Sequence, residues 1–541
     1  MGVLYFWEHI GILQERDVVS YAQFRGWNMI TNTVKTLIGA AFAAAVAYYA
    51  STLVGGVAHG GFLVMAAAFG AYMAMNIGAN DVANNVGPAV GSGALTMTGA
   101  IMIAAIFEAG GALIAGGDVV GTIKKGIIAP SAFGNDPMIF VYAMSAALLA
   151  AALWLNLATW LKAPVSTTHS IVGGVVGAGI AAGGFGIVAW GTMGKIVASW
   201  VISPVLGGLI AAAFLYIIKV TILHKEDMRT AAKKVVPILV AVMTAAFVTY
   251  LTIKGLKHVW KDLAHALSFL PQTKKPPFSI AALFGLVGGV VSYVLLRPSI
   301  ARKVEGMENT REAINLLFAV PLVFSAALLS FAHGANDVAN AVGPLAAVND
   351  ALTNLAISKK AAIPLWVMAT GGLGIAVGLA MFGPRLIRTV GSEITELDPM
   401  RAFSIMLAAA ITVIVASQLG LPVSSTHIAV GAVFGVGFLR EWMDSKKMKE
   451  RQNALFVEVE KYDAIKAELA ACPDSDAERK LDLLNQKNAQ KKVVKKIKKK
   501  LRENYIKKGM VKKIITAWVV TVPIAAILSA IIFYVLKGLG A

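Results

Sequence analysis

The sequence predicts an all-α polytopic membrane protein of about 12 to 13 segments, built as two inverted homologous repeats with discontinuous or re-entrant helical hairpins. Three observations predict it. The 541 residues are 57% hydrophobic and only 15% charged, against about 25% charged in soluble domains. Two motifs recur in the same order at nearly the same spacing. Two apolar stretches open with Pro-Val and a run of hydroxyl residues, which starts a helix inside apolar sequence. A soluble enzyme of several domains is thereby excluded. The 52 glycines fit the same class, because membrane helices use small residues for close backbone approach. A single cysteine, Cys472, lies in a polar stretch, which excludes a disulfide framework and a cysteine-based metal site.

Taken in order, residues 1–29 read as a short interfacial segment, since MGVLYFWEHIGILQERD has neither a basic n-region nor a small-residue cleavage site. Windows of about 20 apolar residues place spans near 30–55, 61–90, 97–122, 138–161, 188–219, 235–255, 278–298, 314–345, 362–388, 400–420 and 514–537. Two further stretches, 164–187 and 422–440, begin PVSTTHS and PVSSTHI and then become glycine-rich. Proline at a helix start with Ser and Thr around it is an initiation signal. At membrane depth such a break survives only inside protein or along a watery cavity.

The net charge of +19 is unevenly placed. Residues 440–513 hold 22 Lys and Arg against 12 Asp and Glu, an excess of ten and more than half of the total. A basic loop beside a span is the positive-inside signal, so this insert and the basic loops 222–236 and 299–313 are expected in the cytoplasm, against anionic headgroups. A nucleic-acid patch is the less economical reading, and no nucleic-acid partner is expected.

GANDVANNVGP begins at Gly78 and GANDVANAVGP at Gly334, an offset of 256, while PVSTTH at Pro164 and PVSSTH at Pro422 are offset by 258. Two motifs repeating together mark a duplication. The expected organisation is repeat 1 over 30–220, a linker with an extra span over 221–277, and the first part of repeat 2 over 278–440. The basic cytoplasmic insert 441–513 and the last span of repeat 2, 514–541, follow. If each Pro-Val segment makes one net crossing, cytoplasmic basic loops force the two GAND segments to run in opposite directions, and the repeats are inverted. Segments that folded back without crossing would make them parallel. Inverted repeats with broken helices are a secondary-transporter design, with the site at the repeat interface.

Asn80, Asp81 and Asn84, and likewise Asn336, Asp337 and Asn340, share one helix face. Pro88 and Pro344 are expected to interrupt that helix one or two turns on. A carboxylate in hydrocarbon costs about 3 kcal/mol or more, so it faces a partner or a pathway. Simple gluing of two polar helices by Asn side chains would not require the same eleven residues twice. Ser166, Thr167 and Thr168, and Ser424, Ser425 and Thr426, fall in the first turn of each half-helix, where free amides and the dipole favour an anion. N-capping is the plainer reading of such a run; duplication at membrane depth favours anion binding. Asp81 and Asp337 are placed with this phosphate-type anion as well, because hydrogen phosphate can donate to a carboxylate and sulfate cannot. The oxygen ligands of Asn80, Asp81, Asn84, Asn336, Asp337 and Asn340 suit a hard cation such as sodium. A dianion and sodium desolvate more cheaply together, which is the physical basis of symport.

Glu108, in IFEAGGALIAGG, is a candidate coupling carboxylate. His169 and His427 follow the hydroxyl clusters and either shuttle protons or make structural contacts, the second being favoured because no metal-ligand spacing surrounds them. Arg385 and Arg388 read as snorkelling residues at a span end, and Asp118 near Lys124 and Lys125 as interfacial. Nothing pairs a nucleophile with a base outside the duplicated site, so an enzyme is not expected.

These residues resemble the inorganic phosphate transporter family, in particular its sodium-coupled branch, the type III sodium–phosphate cotransporters. The likeness rests on GANDVANNVGPAVGSGALT, IFEAGGALIAGGDVVGTIKKGII, both Pro-Val-Ser-Thr-His segments, and GGLGIAVGLAMFGPRLIRTVG leading into FSIMLAAAITVIVASQLGLPVSSTH. It implies uptake of phosphate with sodium across the plasma membrane by alternating access. Sodium is the co-substrate, no cofactor is required, and a homodimer and a large cytoplasmic loop before the last span are expected. Similar sequences carry a second-half glutamate in a stretch like FSIELA; here Met406 stands there, which bears on cation stoichiometry. The rival readings are a proton-coupled phosphate or sulfate permease and, in another class, a passive anion channel.

Overall fold

The computed structural model describes residues 32–55, 59–128, 136–257, 259–354, 363–393, 397–443, 445–473, 476–501 and 508–540. The segment expected over 1–29 lies outside the described residues. The chain divides into two units, Met1–Val436 with Gly509–Ala541, and Gly437–Lys508. Among the described residues the helices begin with α1 (Asn32–Leu53), α2 (Gly60–Gly91), α3 (Met97–Ala115), α4 (Gly117–Lys125), α5 (Pro137–Trp160), α6 (Thr167–Gly183) and α7 (Trp190–Ile218). The middle of the chain forms α8 (Met228–Gly255), α9 (Trp260–Ala266), α10 (Phe278–Glu305) and α11 (Arg311–Leu316). Then come α12 (Ala319–Asp337), α13 (Ala339–Asn354), α14 (Leu365–Phe382), α15 (Pro384–Glu393), α16 (Pro399–Gln418) and α17 (Ser425–Met443). The second unit is carried by α18 (Ser445–Ala471) and α19 (Ala477–Leu501), and α20 (Lys508–Gly540) closes the chain. Among the described residues there is no strand, only an isolated antiparallel bridge between Ile128 and Val188.

Local chemistry sets the helix starts. Thr96 caps α3, Asp136 caps α5 ahead of Pro137, Asp227 caps α8, and Asp398 caps α16 ahead of Pro399, each carboxylate or hydroxyl accepting from an otherwise orphaned first-turn amide. Among the described residues, 11 segments are long and apolar enough to cross a membrane. Their outward faces are apolar: Ile106, Leu209, Val201, Leu286 and Leu295 are exposed, while the polar motif residues are buried. That inversion of the soluble pattern is what a lipid surround requires.

Four segments differ from expectation. Pro88 lies inside an uninterrupted α2 and Pro344 inside α13, so neither proline ends its helix. The second GAND helix carries a one-residue irregularity within the motif, at Val338 between α12 and α13, where the backbone stays in the right-handed helical region. A proline removes one intrahelical bond, and inside a protein-lined bundle neighbouring groups make that tolerable. The span expected over 97–122 is divided at Gly116 into α3 and α4, and that expected over 362–388 into α14 and α15.

Packing is interlocked. α2 lies against α14 so closely that a Cβ on Gly78 would strike the Ile375 carbonyl, and α3 lies against α12 so that a Cβ on Gly334 would strike the Glu108 carbonyl. The small residues at 173 and 177 of α6 press on the α20 backbone at Val522 and Ala526. Those at 431 and 435 of α17 press on the α7 backbone at Pro204 and Gly208. Each short helix after a Pro-Val segment thus rests on the long helix that ends the other half of the chain. This is small-residue membrane packing, with backbones brought into van der Waals contact.

Candidate functional site

The site lies where α2 and α12 meet the starts of α6 and α17. Asp81 is fully buried. Its Oδ2 accepts from Thr167 Oγ1 at 2.8 Å and its Oδ1 from Thr426 Oγ1 at 3.1 Å, so one carboxylate ties together the starts of both short helices. Asp337, also buried, accepts from Ser425 Oγ at 2.9 Å. The carboxamides cross over: Asn84 Nδ2 donates to Thr426 Oγ1 at 2.8 Å, and Asn340 Nδ2 donates to Thr167 and Thr168 Oγ1 at 3.2 Å each. Thr168 in turn donates to the Val423 carbonyl at 2.9 Å.

The remaining motif residues shape the elbows. Asn80 donates to Thr159 Oγ1 at 3.0 Å and to the Ala163 carbonyl, and its Oδ1 accepts from the Val165 amide. Asn336 does likewise to Ser417 Oγ at 2.9 Å and the Leu421 carbonyl. Ser166 accepts from the His169 amide and Ser424 from the His427 amide. The two serines are N-caps, which leaves their hydroxyl hydrogens to donate elsewhere and leaves the first-turn amides of α6 and α17 pointing at the junction. His169 and His427 stand edge to face at 4.3 Å, sandwiched between Trp200 at 3.8 Å and Trp518 at 3.6 Å. Their rings form an aromatic stack and are not joined to Asp81 or Asp337 by any described contact.

A residue that motif reasoning overlooked joins the carboxylates. His333 Nε2 lies 2.9 Å from Asp337 Oδ2 and 3.5 Å from Asp81 Oδ2, and its Nδ1 lies 3.1 Å from Glu108 Oε2. All four side chains are buried. Glu108 Oε1 also accepts from Asn85 Nδ2 at 2.8 Å. Three carboxyl groups surround one imidazole, so the histidine can supply at most one positive charge against them. Buried charge of one sign is costly without a counter-charge. The signals that could have found these residues are present in the chain: His333 stands four residues before Asp337, and Thr159 and Ser417 repeat at the same 258 offset as the Pro-Val motifs.

Several buried oxygens have no hydrogen-bond donor among the described residues: Asn84 Oδ1, Asn85 Oδ1, Asn336 Oδ1 and Asp337 Oδ1. Asp81, His333 and Asp337 each bring a ligand atom within 4.8 Å of the others. Unsatisfied hard oxygens beside carboxylates are the donor set of a hard cation, while the hydroxyls and helix starts opposite them are an anion donor set. Met406 is buried in α16. By its packing, the second-half counterpart of Glu108 is Ile375, so no mirrored carboxylate occurs at either position. The side chains of Asp118, Lys124 and Lys125 lie outside the described ones.

A buried constellation of carboxylates, carboxamides and hydroxyls at broken helices, inside a bundle of membrane-length helices, defines a polytopic membrane transporter and not an enzyme. The phosphate transporter family model matches residues 77–529, and the chain belongs to that family. It is 49% identical over 523 residues to a protein named as a phosphate permease in Helicobacter pylori, covering 92% of this chain and 93% of that one. It is 40% identical over 399 residues to the chloroplastic inorganic phosphate transporter 2-1 of Arabidopsis thaliana, covering 69% and 65%. A solved structure, that of a sodium-dependent phosphate transporter, is similar with a TM-score of 0.70 and 31% identity, covering 88% of this chain and 99% of that one.

Proposed function

We propose that the protein is a secondary active symporter that imports inorganic phosphate with sodium by alternating access, as a multi-pass protein of the plasma membrane and as a homodimer. The observation that carries the reading is the juxtaposition of two opposed donor sets. Phosphate sits between the first turns of α6 and α17, held by Ser166, Thr167, Thr168, Ser424, Ser425, Thr426 and the amides there. Sodium ions sit against Asp81, Asp337, Asn84, Asn340 and the elbow residues Asn80 and Asn336, with Glu108 completing the negative charge.

Electrostatics makes the coupling obligatory. At an effective dielectric of about 20, two unit charges 4 Å apart interact by about 4 kcal/mol. A divalent anion brought beside two carboxylates is therefore repelled by several kcal/mol until cations bind between them. Hydrogen phosphate relieves part of this by donating its proton to Asp81 or Asp337, whereas sulfate offers no donor. The name of the similar solved structure, a sodium-dependent phosphate transporter, supports sodium as the co-substrate. His333 among three carboxylates favours a second reading in which a proton drives uptake.

The inverted repeat has structural support. The contacts Gly374 with Ala71 and Gly383 with Val82 ascend together along α14 and α2, and Gly111 with Phe331 and Gly116 with Val338 ascend together along α3 and α12. Both pairs are therefore parallel. Since the short connection 92–96 makes α2 and α3 antiparallel, α2 and α12 run in opposite directions. On this reading repeat 1 spans 30–220, the linker 221–277, and repeat 2 spans 278–440 and 514–541 around the 441–513 insert.

The test is labelled-phosphate uptake into proteoliposomes with a sodium gradient, a proton gradient or neither, and with sulfate as competitor. Sodium-driven accumulation that sulfate leaves untouched is expected. Equal uptake without sodium would refute the coupling, proton-driven uptake alone would establish the second reading, and flux indifferent to every cation gradient would make the protein a passive channel.

A further inference from the structure

A cavity of about 630 Å³ opens beside the first-half elbow, lined among others by Asn76, Asn156, Thr159, Trp160 and Arg385. At about 30 Å³ per water, it has room for a hydrated oxyanion. Its lining includes Thr159, the partner of Asn80, one residue from Asp81. Asn156 donates to Asn76 at 3.3 Å across it, and Arg385, which donates to Asn32, gives the rim a positive charge.

The same place in the second half is filled. The offsets of 256 and 258 carry Met75 to Phe331, Ala79 to Ala335, Asn156 to Ile414 and Thr159 to Ser417. Phe331 and Ala335 belong to a buried cluster with Tyr250 and Ala115, against which Phe247 and Ile414 pack. The Phe331 ring meets Tyr250 edge to face at 6.0 Å and Phe247 at 5.8 Å. Lys254, buried and four residues beyond Tyr250, donates to the carbonyl of Ser417 at 3.3 Å. Tyr250, Phe247 and Lys254 all come from α8, the linker span.

The two places face opposite sides. α5 runs antiparallel to α20, with Trp154 bonded to Thr521 and Tyr142 touching Gly540. The Trp160 end of α5 thus lies at the α20 end that follows the basic insert. Tyr250 lies about 33 Å along α8 from Met228, which begins at a basic loop. With basic loops in the cytoplasm, the cavity faces the cytoplasm and the aromatic cluster the outside.

We propose that the cavity lined by Asn156 and Arg385 is the cytoplasmic passage of the phosphate site, and that Tyr250, Phe331 and Lys254 of the opposite elbow close the equivalent outward passage. This rests on the transporter reading. The linker span is then the outer gate, packed on Phe331 where α1 lies beside Met75 and lines the open cavity in the first half, and transport requires Tyr250 and Phe331 to part while the Asn156 cavity collapses.

The test uses the full chain with Cys472→Ser and one new cysteine, in right-side-out and inside-out vesicles, with a membrane-impermeant maleimide. Asn156→Cys should label from the cytoplasmic face only, and Ile414→Cys from neither. Adding Tyr250→Ala should open Ile414→Cys to labelling from outside, while Tyr250→Phe, which keeps the ring, should leave it protected. Labelling of Asn156→Cys from outside or not at all, or labelling of Ile414→Cys equal to it with Tyr250 intact, would overturn the proposal. So would an Ile414→Cys that stays protected in a Tyr250→Ala protein whose Asn156→Cys version still labels. Phosphate uptake measured on the same vesicles tests the transporter reading separately, because the labelling pattern stands or falls without it.

Discussion

Asn85 is the one position at which the two undecapeptides differ, with Ala341 as its counterpart, and its amide donates to Glu108 at 2.8 Å. Ile77 and His333, just before the motifs, differ as well, and His333 is the other group against Glu108. The asymmetric residues have therefore collected around one carboxylate, while Asp81 and Asp337 keep matching hydroxyl partners. The motif carboxylates were legible in the sequence because duplication singles them out. His333 and Asn85 were not, because repetition highlights what the halves share and hides where they differ. Asp81→Ala and Asp337→Ala should each abolish coupled phosphate uptake while the purified protein keeps its helical circular dichroism; normal uptake in either would refute their placement. Glu108→Gln and Asn85→Ala should each raise the sodium concentration for half-maximal uptake, by about tenfold or ~1.4 kcal/mol, with a smaller change in phosphate KM. As the two groups act through one contact, the double variant should fall well short of the sum of the single effects; full additivity would show that they act independently.

At the scale of helices, sequence reading located the apolar segments and the two helix starts after Pro164 and Pro422, because hydropathy and capping chemistry are local. It misplaced the breaks. Proline is a strong local signal, but Pro88 and Pro344 sit inside helices, while the one-residue irregularity at Val338 carries no local signal. The irregularity falls beside Asp337, where His333 and Ser425 hold the carboxylate. Helix contact distances are tertiary. A methyl at Gly334 would meet the α3 backbone, which cannot swing aside as a side chain can, whereas at Gly61 it would meet nothing within 4 Å. Gly334→Ala should lower stability by about 1–3 kcal/mol through overpacking and displace Glu108 from His333. Gly61→Ala should leave stability unchanged or slightly raised. Thermal unfolding of the detergent-solubilised variants checks both, and equal midpoints would show that α3 and α12 are not in backbone contact.

At the scale of the whole molecule, the duplication predicted two halves but not how they hold each other. The Pro-Val helices recur at an offset of 258, whereas their packing partners α7 and α20 correspond at 318, with Pro204 matching Val522 and Gly208 matching Ala526. The basic insert lengthens the second half before its last span, and that displacement conceals the match from any reading at a single offset. The consequence is an exchange: α6 of the first half needs α20 of the second, and α17 needs α7. Neither half can bury the small-residue face of its own short helix, and in a bilayer such a face is held by packing with a partner, since lipid supplies no hydrophobic drive between helices. The connection between α9 and α10 is the place to test this, because Lys274 and Lys275 are exposed there, and cuts in exposed connections are the best tolerated. Chains 1–274 and 275–541 should therefore be degraded or inactive when expressed singly. Co-expressed, they should co-purify and restore sodium-driven phosphate uptake, because the exchanged contacts hold them together without a covalent link. Recovery of a stably folded, monodisperse half from either single expression would show that each half completes its own core, and the exchanged packing would then not be what assembles the site.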